Sequence, residues 1–203
     1  MATRIVIARH GNTFAAGQIP TRVGARTDLP LVDSGRVQAL RLGDVLKKSG
    51  LVPAHIFTSE LQRTIATAKL SCSSMVCSAS IEQLHFLNEI DYGPDENMPE
   101  DKVIERIGES AIKNWDANGE MPDAWSPRPE AIVNAWQSFL NKVQTDFKNQ
   151  TIMVVTSNGI ARFAARCTIN GQDFSLKLAT GAYGILTSED VGIWRMTEWN
   201  THP

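Results

Sequence analysis

Three short, largely apolar runs constrain this chain most: Arg4 to Ala8, Ala54 to Thr58 and Ile152 to Thr156. An apolar stretch without alternation suits a strand covered on both faces, as in the middle of a layered sheet. Each run stops abruptly at a polar cluster: Arg9-His10-Gly11, Ser59-Glu60-Leu61-Gln62 and Ser157-Asn158-Gly159. Open α/β sheets bind ligands where such strands end.

The segments between the runs read as helices and loops. Asn12 to Leu31 carries Gly17, Pro20, Gly24 and Pro30 and reads as a long irregular loop. From Asp33 the pattern turns helical, with Ala39, Leu42 and Leu46 on one face and Gly50 as a stop. Ser59 with Gln62 fits a capping box, which predicts a helix from Ser59 through Leu61, Ile65 and Ala68. Val76 and Ile81 suggest a short strand, Asp91 to Pro99 a loop, and Pro99-Glu100-Asp101 a helix start. Asn114 to Pro129 reads as a lid-like loop whose Trp115 and Trp125 seek burial. Helices are expected again from Glu130 and from Ile160 to Cys167. Tyr183 to Thr187 and Val191 to Trp199 read as a terminal hairpin. Strand and helix thus alternate, with antiparallel strands last. The expectation is an α/β fold: a three-layer α/β/α sandwich over residues 1–203, with a mostly parallel central sheet, an antiparallel strand near the C-terminus and an excursion at about 91–129.

Composition narrows the partners. Lys plus Arg total 20 and Asp plus Glu 22, a net charge of −2. Such a balance gives no bulk drive toward nucleic acid or anionic lipid, so neither a nucleic acid nor a membrane is an expected partner. No apolar run approaches the roughly 18 residues of a membrane span. Cys72, Cys77 and Cys167 are an odd count without ligand spacing, and read as idle thiols. A cytoplasmic location is expected.

If the three strands are parallel, their polar ends share one edge. Arg9, His10, Arg63 and Asn158 would then surround a hollow suited to a tetrahedral anion. Arginine suits phosphate because its planar fork donates paired hydrogen bonds and keeps its charge. Histidine can attack phosphorus through one ring nitrogen while the other is held.

The residues extend this reading. Arg9-His10-Gly11 with Thr13, then Asp28-Leu29-Pro30-Leu31 with Gly35-Arg36, Gln38 and Ala39, then Thr58-Ser59-Glu60-Leu61-Gln62-Arg63-Thr64 with Thr67-Ala68, then Leu87-Asn88-Glu89-Ile90-Asp91-Tyr92-Gly93 with Glu96, stand in that order. Together, over about residues 3 to 165, they resemble the histidine phosphatase superfamily, the phosphoglycerate mutase-like enzymes. The resemblance implies a metal-independent phosphatase with no cofactor, acting on a small phosphorylated metabolite. It makes His10 the nucleophile, Arg9 and Arg63 the clamp, and Glu89 the proton donor, with Glu96 and Asp91 as rivals. Gly11, Thr13, Arg22, Ser59 and Gly159 are the implied substrate-binding positions. Two departures stand out. Asn158 occupies the place of a usual second histidine, and Ala16 that of a usual asparagine, for which Thr13 and Arg22 are candidate substitutes. A phosphomutase and a weakened, phosphate-binding pseudo-phosphatase are the alternatives. Specificity is expected in residues 14–31 and 91–129, with Trp115 and Trp125 assigned to packing.

Overall fold

The computed structural model describes residues 2–203. Six strands form one sheet in the order β3-β2-β4-β1-β5-β6. They are β1 (Thr3–Arg9), β2 (His55–Thr58), β3 (Ser80–Gln83), β4 (Thr151–Thr156), β5 (Tyr183–Ser188) and β6 (Arg195–Thr201). β1, β4, β2 and β3 run parallel, while β5 and β6 are antiparallel to them and form the closing hairpin. The three apolar runs are the three central parallel strands, and their C-terminal ends lie on one edge.

Continuous hydrophobicity has a direct consequence here. Along β1, Ile5 and Ile7 join one apolar cluster while Val6 and Ala8 join the other, and β4 divides Ile152 and Val154 from Met153 and Val155 in the same way. Both faces are therefore covered, each buried Ile or Val contributing about 1.5–3 kcal/mol. One face carries α1 (Asp33–Lys48) and α2 (Gln62–Met75). The other carries α5 (Pro129–Asp146) and α6 (Asn158–Ala164), with α3 (Glu100–Ile107) and α4 (Glu109–Asn118) beside them. α5 shows why: Ile132, Trp136, Phe139, Leu140 and Val143 recur at helical spacing on its buried face, and Pro129 sits where its missing N–H costs nothing. Among the described residues no helix is long and apolar enough to cross a membrane.

Four local expectations are corrected. α2 starts at Gln62 rather than Ser59, because the Ser59 hydroxyl bonds Thr64 Oγ1 at 2.6 Å and accepts from the Leu61 N–H at 3.2 Å, bracing a turn instead of capping a helix. Val76 lies outside β3, in a left-handed conformation (φ 57°) that ends α2. Asn114 to Asn118 are helical: Ile112 and Trp115 turn one face of α4 inward, and left-handed Gly119 ends it. Cys72 and Cys77 are joined as a disulfide across the end of α2, where the Cys77 N–H returns to the Cys72 carbonyl at 3.1 Å. Cys167 is free, and burial pushes its thiol up to about 11.

Candidate active site

The chain leaves β1 at Arg9 and places His10 at the sheet edge, 5% exposed. Its backbone is fixed on two sides: the His10 N–H donates to the Thr156 carbonyl at 3.1 Å, and its carbonyl accepts from Gly181 at 3.0 Å. The ring is fixed as well. Nδ1 lies 2.8 Å from the Gly11 carbonyl, which can only accept, so Nδ1 carries the proton. Nε2 then presents its lone pair, and the Arg63 Nε–H donates to it at 3.2 Å. Burial first, then the nearby Arg63 and Arg9 charges, hold the imidazole well below its ordinary value of 6.5, against the opposing Gly11 hydrogen bond. His10 is accordingly neutral at pH 7.

Gly11 makes this turn sterically possible. A Cβ there would lie 2.3 Å from the Gly35 carbonyl, and its N–H is spent on Thr67 Oγ1. Arg63, on the first turn of α2, is fully buried behind His10. Its Nη1 donates to the Thr27 carbonyl at 2.9 Å and its Nη2 to the Gly24 carbonyl at 3.2 Å. Arg9 Nη1 donates to the Leu178 carbonyl at 2.9 Å, while its Nε is buried with no partner among the described residues. Burial lowers both guanidinium values, partly offset by Glu89. Neither arginine forms an ion pair among the described residues.

Glu89 arrives from the loop after β3 and is 6% exposed. One carboxylate oxygen accepts from the Ile90 N–H at 2.9 Å and the other from the Gly159 N–H at 3.2 Å. A Cβ on Gly159 would lie 2.2 Å from the Glu89 carboxylate, so that glycine is the seat on which the acid rests. Arg9, His10, Glu89 and Asn158 line one open cavity of about 750 Å³, as do Thr13, Ala16 and Arg22; Arg63, expected to surround the same hollow, is fully buried against the His10 ring and is not on the lining. Asn158 opens α6 and turns its Oδ1 to the Leu178 N–H at 2.8 Å; its amide nitrogen donates to no protein group among the described residues.

Other expected residues fall elsewhere. Ser59 is fully buried and bonded to Thr64, away from the cavity, and Gly11 and Gly159 act through the space they leave. Arg22 reaches the cavity, but its Nη2 donates to both Glu100 oxygens at 2.7 and 2.6 Å. Glu96 is a fastener: it accepts from the Gly24 and Arg26 N–H groups, from Thr27 Oγ1 and from the Tyr92 N–H. Asp91 bonds Arg26 at 3.0 Å and lies on a neighbouring apolar cavity. Trp125 is packing, its Nε1 held by Asp95 at 2.6 Å, whereas Trp115 both packs and lines the cavity. Sequence reasoning missed Glu100 and Asp116 on the cavity wall; the only available signal was their place in the excursion at 91–129. Among the described residues no group of three or more His, Cys, Asp or Glu converges to hold a metal.

Comparison with known proteins gives the family and the fold. The profile of the histidine phosphatase superfamily (branch 1) matches residues 5–202. A 2,3-bisphosphoglycerate-dependent phosphoglycerate mutase of Bartonella henselae is 26% identical over 188 residues, 89% of this chain and 90% of that one. Three other mutases of that name match over only about half of their own length, whereas one of Bartonella tribocorum matches over 90% of its length. Among solved structures, mycobacterial hydrolase 1 superposes with a TM-score of 0.82 at 17% identity, covering 100% of both chains. A mycobacterial glucosyl-3-phosphoglycerate phosphatase superposes with a TM-score of 0.80 at 18% identity, covering 99% of this chain and 100% of that one.

Proposed function

This chain belongs to the histidine phosphatase superfamily, and from that premise we propose that it hydrolyses small phosphate monoesters through a phosphohistidine on His10, without a metal. The observation that carries this reading is the state of His10: a neutral imidazole on the cavity floor, Nδ1 proton held by a carbonyl and Nε2 lone pair presented beside a guanidinium.

In the first step Nε2 attacks phosphorus and the ester P–O bond breaks. The departing alkoxide takes a proton from the Glu89 carboxyl. In the second step Glu89, now a carboxylate, removes a proton from water as its oxygen attacks phosphorus, and the P–N bond breaks to release phosphate. A phosphoryl group on Nε2 would take over the Arg63 N–H now spent on the ring, and Arg9 on the cavity lining supplies a second positive charge beside its oxygens. The protein's contribution is position and fixed positive charge, which dominate phosphoryl transfer. Asn158 brings a neutral donor where a histidine could bring a charged one, worth about half as much.

The test is release of inorganic phosphate from p-nitrophenyl phosphate in excess chelator. We expect turnover that His10→Ala lowers by at least about 10³-fold, and an acid-labile phosphoryl adduct at His10 when a labelled substrate is quenched. Turnover unaffected by His10→Ala would refute the reading. The long match to the Bartonella mutase favours phosphomutase as the second reading. An isomerised phosphoglycerate without free phosphate would select it, and wild type no better than His10→Ala would select a silent phosphate-binding protein.

A further inference from the structure

We propose that the cavity selects phosphate monoesters whose alcohol carries no second anionic group, and that the Arg22–Glu100 pair together with Asp116 enforces this. The inference rests on the phosphatase reading above and names its substrate class.

The cations of the site are unevenly distributed. Arg9 lines the cavity beside His10, where the phosphoryl group would sit, and Arg63 is bonded to the His10 ring from behind the lining. Outward from there the wall carries a single cation, Arg22, and it is already matched. Its Nη2 spans both Glu100 oxygens, and its guanidinium lies against the rings of Trp125 at 4.9 Å and Tyr92 at 5.3 Å. The Arg22 side chain is 11% exposed and that of Glu100 51%, so the pair's acid faces solvent at the cavity wall and is partly screened by salt. Asp116 adds a further acid to the same wall. Arg162 is not on the lining: it is buried behind Trp115, stacked at 4.2 Å on that ring and donating to the Trp115 and Asp116 carbonyls, so its charge offsets Asp116 in part but offers no N–H to a ligand in the cavity. The leaving-group wall therefore has formal charge −1 from Arg22, Glu100 and Asp116, and Phe14, Tyr92 and Trp115 supply apolar surface beside it. A carboxylate or second phosphate placed there meets like charge and, among the described residues of the lining, no unmatched outer cation. A hydroxyl, an apolar group or an amine meets no such obstacle. The relatives named for phosphoglycerate act on the kind of ester this wall disfavours.

Glycerol 3-phosphate and 3-phosphoglycerate test this directly, since they share a skeleton and differ in one carboxylate. We expect kcat/KM to favour glycerol 3-phosphate by at least about tenfold, the effect of a like charge at a partly screened site. Glu100→Gln frees Arg22 and should shrink that ratio at least about fivefold, with Asp116→Asn shrinking it less. A wild-type preference for 3-phosphoglycerate, or a ratio unmoved in both variants, would overturn the inference. His10-dependent turnover of p-nitrophenyl phosphate reports separately on the phosphatase reading. Should that turnover fail, calorimetric affinities of the two esters still read the preference, and tighter 3-phosphoglycerate binding refutes it.

Discussion

The floor and the outer wall of one cavity treat charge in opposite ways. On the floor, Arg9 and Arg63 are ion-paired with nothing among the described residues, their N–H groups resting on carbonyls and on a neutral ring. On the wall, Arg22 is matched oxygen by oxygen with Glu100. Burying a charge without a counter-charge is costly, so it persists where something pre-organised holds it and a ligand completes it. The wall is complete as it stands. On the proposed reading the difference marks where recognition ends and discrimination begins: the floor takes an anion, and the wall refuses a second one.

The comparison can be broken most forcefully at the seat of Glu89. Gly159→Ala drives a Cβ into the carboxylate, and a displacement near 1 Å costs about 10²-fold in rate. We expect that fall in kcat for p-nitrophenyl phosphate, with inorganic phosphate still bound in calorimetry. Unchanged kcat would mean that the acid's seat does not limit the reaction. Asn158→His sharpens the contrast by adding a chargeable donor to the floor, and should raise kcat about tenfold. No gain would place the amide outside the phosphate shell.

The smallest effect is in pH. Since folding holds His10 well below 6.5, the ring should remain neutral in ring-proton NMR at pH 6, where a free histidine is mostly protonated. The unfolded chain binds that proton first. Stability is therefore fully present above pH 6.5 and is lost as pH falls from 6.5 toward the folded value. The urea midpoint of wild type should drop more than that of His10→Gln between pH 7.5 and 5.5, and equal drops would refute a neutral His10.

Much of the floor was legible because it is built from contiguous residues at strand ends. β1 and β4 declared themselves through unbroken apolar runs, and Arg9, His10 and Asn158 follow them within two residues. Arg63 was placed correctly on a first helical turn even though the capping serine turned out to brace the preceding bend. The wall was not legible. Arg22 meets Glu100 across 78 residues and Glu96 reaches back 72 to Gly24, pairings that no local spacing encodes. α4 was hidden because Trp115 lies in a stretch crowded with Gly and Pro, whose breaking effect begins only at Gly119. The Cys72–Cys77 bond was hidden for a similar reason, since only the left-handed turn at Val76 brings the two together.

Glu96 never touches the cavity, yet it fastens Gly24 and Thr27, the residues whose carbonyls grip Arg63. This draws a seam through the long loop after His10. Residues 24–27 are welded to the reaction centre, whereas 14–20 hang from it and line the entrance. A redesign of the proposed specificity therefore belongs in the hanging stretch, and should leave the weld alone.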